Sequence, residues 1–234
     1  MTELNNRFHT IIDNIRLTEN QAGMTPNSVQ LLAVSKTQPA EVIRQAAEAG
    51  QRYFGENYLQ EALIKINSLT DLKLEWHFIG PIQSNKTKDI AENFDWVQTV
   101  DRLKIAQRLN NQRPSNLGKL NICIQINIDN ESSKSGIEAT DLFELAEKIS
   151  HLNNLQLRGL MIIPTHTHDP LQQQASFQQA QLLFRQLADI YPSVDTLSMG
   201  MSGDMAMAIA EGSTMVRIGT AFFGKRLHQP SDNK

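Results

Sequence analysis

From residue 31 onward, short apolar runs alternate with amphipathic stretches. The runs LLAVSK (31–36), RYFGE (52–56), LEWHFIG (74–80) and DWVQTV (95–100) read as β-strands. So do LNICIQINI (120–128), LQLRGLMII (155–163), DTLSMG (195–200) and TMVRIG (214–219), which makes eight. The segments between them carry helical spacing at 39–49, 58–68, 84–93, 101–112, 138–151, 172–190 and 203–211. Ahead of the first strand, Leu4, Phe8, Ile11, Ile12 and Ile15 share one face of a helix predicted over 3–21. Pro39 and Gly50 start and stop the first barrel helix, and Asp101 is placed to N-cap the helix over 101–112. The biased stretch QQQASFQQAQ, followed by Leu182 and Phe184, reads as an ordinary polar-faced helix through Phe177.

Strands that alternate with helices run parallel and are joined by right-handed crossovers. Eight such units predict an α/β fold of the (β/α)₈ TIM-barrel type. An open doubly wound sheet is the alternative, but it commonly has six strands, and no GxGxxG follows the first strand here. The expected layout is an N-terminal helix over 3–21, a barrel over 31–226 and a frayed tail over 227–234, in one domain.

Composition narrows the class. The 234 residues carry 22 Lys and Arg against 25 Asp and Glu, a net charge of −3, so no basic excess exists to neutralise nucleic-acid phosphates. Cys123 is the only cysteine, which excludes an internal disulfide and a cysteine-built metal site. Its setting in NICIQINI predicts a buried, inert thiol. The N-terminus MTELNNRFHT lacks a signal-peptide core, and no apolar run approaches about 20 residues. The expectation is a cytoplasmic protein with no membrane partner.

In a barrel of this type, chemistry sits at the C-terminal ends of the strands. That rule selects Lys36, Asn57, His77, Gly80, Asn127, Met161 to Ile163, Ser198 to Ser202 and Arg217 to Thr220. Lys36 closes an apolar strand, where burial would disfavour its ammonium and ready the amine to attack an aldehyde. A lysine that snorkels to solvent is the bland reading. SMGMSGDM (198–205) and RIGTAFFG (217–224) are small-residue turns after strands seven and eight, where barrels often hold phosphate. Plain turn geometry would also account for their glycines. A carbonyl-reactive lysine beside a phosphate cradle is the arrangement that binds pyridoxal phosphate (PLP) on a barrel.

The motifs AVSKTQP, FGENYLQE, WHFIGPIQSNK, QINIDNESSKSG, RGLMIIP, LSMGMSGDM and TMVRIGTAFFG resemble the YggS-type pyridoxal phosphate homeostasis proteins, also called PLP-binding proteins. The resemblance runs from about residue 5 to 226, and PTHTHDP (164–170) is its least family-like stretch. It implies a fold-type III barrel, like the N-terminal domain of alanine racemase, with Lys36 holding PLP as a Schiff base. Carried across by motif, Asn57, His77, Ser202, Arg217, Gly219 and Thr220 would be the cofactor's neighbours. Arg217 would face the pyridine nitrogen and keep it unprotonated, where an aspartate would strengthen the ring as an electron sink. Ser202, Thr220 and the Gly219 amide would hold the phosphate. Asn57 and His77 would contact the ring or its O3′ oxygen, although a turn asparagine and a core histidine explain these two residues equally well.

The resemblance also implies PLP and related B6 vitamers as ligands, delivery to PLP-dependent client enzymes, and a monomer without catalytic activity. Lys134 in ESSKSG is a second amine near the mouth, read first as a solvated loop lysine. Two other functions stay open at this stage. A PLP-dependent racemase or decarboxylase would need a second acid/base, and the chain offers only Tyr53, Tyr58 and Tyr191, with no extra domain expected to supply one. A metal-dependent hydrolase would draw on His166 and His168 with His77 as a third ligand.

Overall fold

The computed structural model describes residues 2–131, 134–165, 167 and 169–224. The strands are β1 (Gln30–Val34), β2 (Tyr53–Glu56), β3 (Glu75–Phe78), β4 (Trp96–Val100), β5 (Leu120–Ile126), β6 (Leu155–Ile162), β7 (Thr196–Ser198) and β8 (Met215–Ile218). All pairings are parallel, and the sheet closes in chain order from β1 round to β8. The eight-stranded TIM barrel expected from the alternating pattern is therefore present. The tail over 227–234, and residues 225 and 226 of the expected barrel, lie outside the described residues.

Helices α1 (Glu3–Gln21), α2 (Ala40–Glu48), α3 (Leu59–Ser68), α4 (Thr87–Asn93), α5 (Leu103–Gln112), α6 (Leu142–Ser150), α7 (Pro170–Ile190) and α8 (Met205–Ala210) match the predicted segments. Gly50 ends the first barrel helix at φ +113°, a conformation that favours glycine. Two local expectations need correction. Arg102, not Asp101, is the N-cap residue of α5, and the Asp101 carboxylate instead meets the Arg102 guanidinium at 2.5 Å. Leu182 is 56% exposed, because the buried face of α7 runs through Phe177, Ala180 and Leu187.

A ninth helix, α9 (Thr220–Phe223), replaces the turn expected after β8. Its Phe222 is buried and meets Phe8 of α1 edge to face at 6.0 Å. That contact gives a four-residue helix a tertiary anchor that propensity alone would not supply. α1 packs against α2, α8 and α9 through Leu4, Ile11 and Ile15. Burial of such side chains contributes roughly 1.5–3 kcal/mol each.

The main core lies between the barrel wall and the helices, with Phe54, Ile43, Ile90, Ile105 and Phe177 fully buried. Inside the barrel, Leu32, Ile79 and Met215 pack as one apolar group, and Trp96, Cys123 and Met161 as another. Burial pushes the Cys123 thiol up to about 12, in keeping with an inert side chain. At Gly159 the β6 backbone runs so close to β7 that a Cβ would sit 1.7 Å from the Thr196 carbonyl oxygen. The β5–β6 register shifts at the same point. Among the described residues, no helix is long and apolar enough to cross a membrane.

Candidate functional site

The register of the barrel fixes which side chains meet at its C-terminal mouth. Val34 of β1 pairs with Gly55 of β2, so Lys36 and Asn57, each two residues further on, stand at the same level. On the other side Ala33 pairs with Ile218, which brings Gly219 and Thr220 alongside. A Cβ on Gly219 would lie 3.4 Å from the Val34 carbonyl oxygen, showing how closely the loop after β8 approaches the lysine's strand. The loop after β7, with Ser202, joins this arc through the Arg217 N–H, which donates to the Gly200 carbonyl at 3.0 Å. Lys36, Asn57, Ser202, Gly219 and Thr220 thus border one arc of the mouth.

Lys36 is half-buried rather than buried, and its amine makes no hydrogen bond or ion pair among the described residues. The loop that carries it is held from behind. Ser35 Oγ donates to Glu56 Oε1 at 2.6 Å, and Lys65 Nζ donates to the Ser35 carbonyl and to Glu56 Oε1, each at 2.8 Å. Lys65 also pairs with Glu61, which accepts from the Thr37 N–H at 2.5 Å. Thr37 itself is at φ +67°, a left-handed conformation that a non-glycine residue keeps only where its surroundings impose it. Burial pushes the Glu56 carboxyl up, and the Lys65 ammonium beside it pulls it back down. This network was missed in the sequence, although FGENYLQE and the lysine four residues beyond Glu61 carry all its charges.

Asn57 is half-buried, and its Oδ1 is buried without a hydrogen-bond partner. Gly80 packs against it so tightly that a Cβ there would fall 2.1 Å from the Asn57 carbonyl oxygen, which is why the WHFIG motif ends in glycine. The Ser202 and Thr220 hydroxyls are exposed and unspent among the described residues. At the start of α9 the Phe222 and Phe223 N–H groups both donate to the Gly219 carbonyl at 2.9 Å.

Arg217 is 4% exposed in β8. Its Nη1 donates to Ser198 Oγ and its Nη2 to the Ile162 carbonyl, both at 2.8 Å. Burial lowers the guanidinium to about 10, which still leaves it cationic at neutral pH. His77 is fully buried inside the barrel, stacked on Trp96 at 5.1 Å. Nδ1 faces Gln98 Nε2 at 2.9 Å and Nε2 faces Glu75 Oε1 at 3.0 Å. Both ring nitrogens are engaged, so His77 offers neither to the mouth and neither to a metal. His166 and His168 lie outside the described residues, and no cluster of three metal-ligating side chains occurs among the described residues.

The structure also separates some candidates from the arc. Asn127 is spent on its own loop, donating to the Glu131 carbonyl at 2.8 Å and accepting from the Glu131 N–H at 3.1 Å. Lys134 is not simply solvated: it pairs with Glu131 at 3.1 Å and donates to Thr165 Oγ1 at 3.2 Å. A cavity of about 420 Å³ opens at the opposite, N-terminal face, lined by Phe8, Arg16, Tyr53, Trp96 and Arg158 among others. No lysine borders it. Chemistry in a barrel of this type sits at the C-terminal ends of the strands, so the unspent groups at the mouth outweigh this cavity.

Comparison with known proteins agrees with this picture. Residues 8–227 match the alanine racemase N-terminal domain family. The chain is 56% identical over 230 residues to a pyridoxal phosphate homeostasis protein of Vibrio cholerae, covering 97% of this chain and 98% of that protein. It is 51% identical over 229 residues to the Escherichia coli protein of the same name, with 97% and 98% covered. Among solved structures, PipY of Synechococcus elongatus with PLP bound superposes with a TM-score of 0.81 at 38% identity, covering 95% of this chain and 100% of PipY. D-threonine aldolase of Filomicrobium marinum, at 16% identity and a TM-score of 0.73, shares the fold; 94% of this chain covers 59% of that one. The chain therefore belongs to the pyridoxal phosphate homeostasis proteins, a family built on the alanine racemase N-terminal domain.

Proposed function

We propose that the mouth of the barrel binds pyridoxal phosphate covalently through Lys36, and that the protein stores and delivers this cofactor without turning amino acids over. The observation that carries the reading is the set of unspent polar groups around one arc. Among the described residues, the Lys36 amine, the Ser202 and Thr220 hydroxyls and the buried Asn57 Oδ1 have no hydrogen-bond partner, while Lys65 nearby is paired with Glu56 and Glu61. When bound, the cofactor supplies an aldehyde for an amine, an aromatic ring and a phosphate that is close to dianionic at neutral pH.

Each of these parts finds a partner in the chain. Lys36 offers the amine, and Ser202, Thr220 and the Gly219 amide offer hydrogen-bond donors to the phosphate. A side-chain amide has an acceptor at one end and donors at the other, so Asn57 suits a ring hydroxyl or its anion. Arg217 uses two of its five N–H donors inside the barrel, and the rest are left for the ring nitrogen. His77 lies beneath this arrangement and acts through other side chains. The support from relatives is direct: PipY was solved with PLP bound, and the curated relatives are named for its homeostasis. We extend the proposal to transient delivery to PLP-dependent enzymes and to binding as a monomer.

Borohydride reduction of the cofactor-loaded protein, followed by mass spectrometry, tests the assignment. Lys36→Ala is expected to remain folded and to lose the reducible adduct. An adduct of unchanged intensity in that variant would move the site to Lys134 or another amine.

A further inference from the structure

A polar side chain buried inside a parallel barrel must find a partner or destabilise the fold. Four such side chains here form a line. Arg217 Nη1 donates to Ser198 Oγ at 2.8 Å, and Ser198 Oγ donates to Gln98 Oε1 at 2.7 Å. Gln98 Nε2 faces His77 Nδ1 at 2.9 Å, and His77 Nε2 faces Glu75 Oε1 at 3.0 Å. Ser198, Gln98 and His77 are fully buried, whereas the Glu75 side chain is 37% exposed. We infer that Ser198, Gln98 and His77 form a through-barrel relay that fixes the Arg217 guanidinium for the ring nitrogen of the ligand, with Glu75 as its carboxylate end. This inference rests on the reading of the mouth given above.

The chemistry of the two ends and the orientation of the Gln98 amide together set the direction of every bond. Arginine only donates, so Ser198 must accept from it and turn its own hydrogen toward Gln98. The Gln98 amide then points its nitrogen at His77, which forces Nδ1 to be the bare, accepting nitrogen and puts the ring proton on Nε2. That proton meets Glu75, and a carboxylate accepts. With a neutral ring, turning the Gln98 amide over would leave an acceptor facing an acceptor at one of the His77 nitrogens. Burial lowers the His77 pKa, which favours the neutral ring that this order requires. The hydroxyl of Ser198 is consequently not free to rotate. It presents one lone pair to Arg217, which the Ile162 carbonyl holds from a second side. Without Gln98, the guanidinium keeps one fixed anchor and can swing away from the mouth. These three are positioning residues: none needs to touch the ligand.

The test has a ligand-bound arm and a ligand-free arm. In the first, binding of PLP is compared with that of its analogue in which the ring nitrogen is replaced by CH. Wild-type protein is expected to prefer PLP by about tenfold or more, the worth of one charge-assisted hydrogen bond. Gln98→Met is expected to bring the preference close to one while both ligands still form a reducible adduct at Lys36. Ser198→Ala is the smaller change should Gln98→Met fail to fold, with the same expected loss. An unchanged preference in a folded variant overturns the relay, and so does a wild-type protein that binds both ligands equally. In the second arm, ¹⁵N NMR of the ligand-free protein is expected to show His77 as the neutral Nε2–H tautomer. The Arg217 Nη–H signals are expected to be resolved in wild type and averaged in Gln98→Met. The opposite tautomer, or Arg217 signals unaffected by Gln98→Met, overturns the relay independently of any cofactor. A wild-type protein that forms no adduct with PLP defeats the reading of the mouth instead, and the ligand-free arm then decides the relay alone.

Discussion

His77 shows how one residue's environment changes its role. A histidine near a strand end reads as a possible ligand contact, yet in the barrel it is enclosed by Trp96, Gln98 and Glu75. Burial is the main cause that lowers its pKa, opposed by Glu75 and more weakly by Asp95. The consequence for stability follows from proton counting. Between the depressed native value and the ordinary 6.5, the unfolded chain binds the extra proton. Stability therefore rises with pH across that window and is lost as the pH falls through it, with a slope of at most about 1.4 kcal/mol per pH unit for one proton. Burial raises the Asp95 carboxyl, whose contribution runs the other way, so the comparison has to be made against a variant lacking only the histidine. Urea unfolding at several pH values between 7.5 and 5 is expected to show a steeper loss in wild type than in His77→Gln. Equal slopes would mean that His77 titrates alike in both states.

At the scale of elements, the eight strands were legible for a physical reason. Strands of a closed parallel barrel are buried on both sides and read as nearly continuous apolar runs, so each β-strand lies within a predicted run apart from Gln30. The helix α9 was not legible, because its stability comes from Phe222 packing on a helix some 200 positions earlier in the chain rather than from its four residues. Lys36, Asn57, Ser202 and Thr220 were legible as strand-end residues, since barrels place chemistry there. Gln98 and Glu75 were not singled out. The clue was present, a glutamine inside DWVQTV, but which polar side chains face each other across the interior depends on strand tilt and register. The loops after β7 and β8 lead to a prediction of their own. Replacing Ser202 by Ala together with Thr220 by Val should weaken PLP far more than pyridoxal, which lacks the phosphate. Each lost bond to the dianion should cost about 1.5–3 kcal/mol. Equilibrium titrations with both ligands measure the difference, and equal weakening would place the phosphate elsewhere.

For the molecule as a whole, the proposed function asks a barrel of the racemase fold to carry a cofactor and leave amino acids unchanged. Arg217 is cationic at neutral pH even with its pKa lowered to about 10, and it can only donate. A ring nitrogen facing it stays unprotonated, so negative charge developing at a bound amino acid's α-carbon loses its main electron sink. The second requirement, an acid/base on the opposite face, also lacks a clear supplier. Tyr53 lines the cavity at the N-terminal face, Tyr191 ends α7, and Tyr58 caps α3 beside the mouth with 57% of its surface exposed. Only Tyr58 is at the right end of the barrel, and more than half of it is open to water there, which does not shelter a deprotonated intermediate. Every 1.4 kcal/mol of transition-state stabilisation withheld is about a tenfold loss of rate, so the two deficits compound. Loaded protein incubated with a panel of L-amino acids in D₂O is expected to exchange the α-proton no faster than free PLP does, and Tyr58→Phe should leave that rate unchanged. Exchange or D-enantiomer formation well above the free cofactor, abolished by Lys36→Ala, would make the barrel an enzyme, and a further loss in Tyr58→Phe would identify its second base.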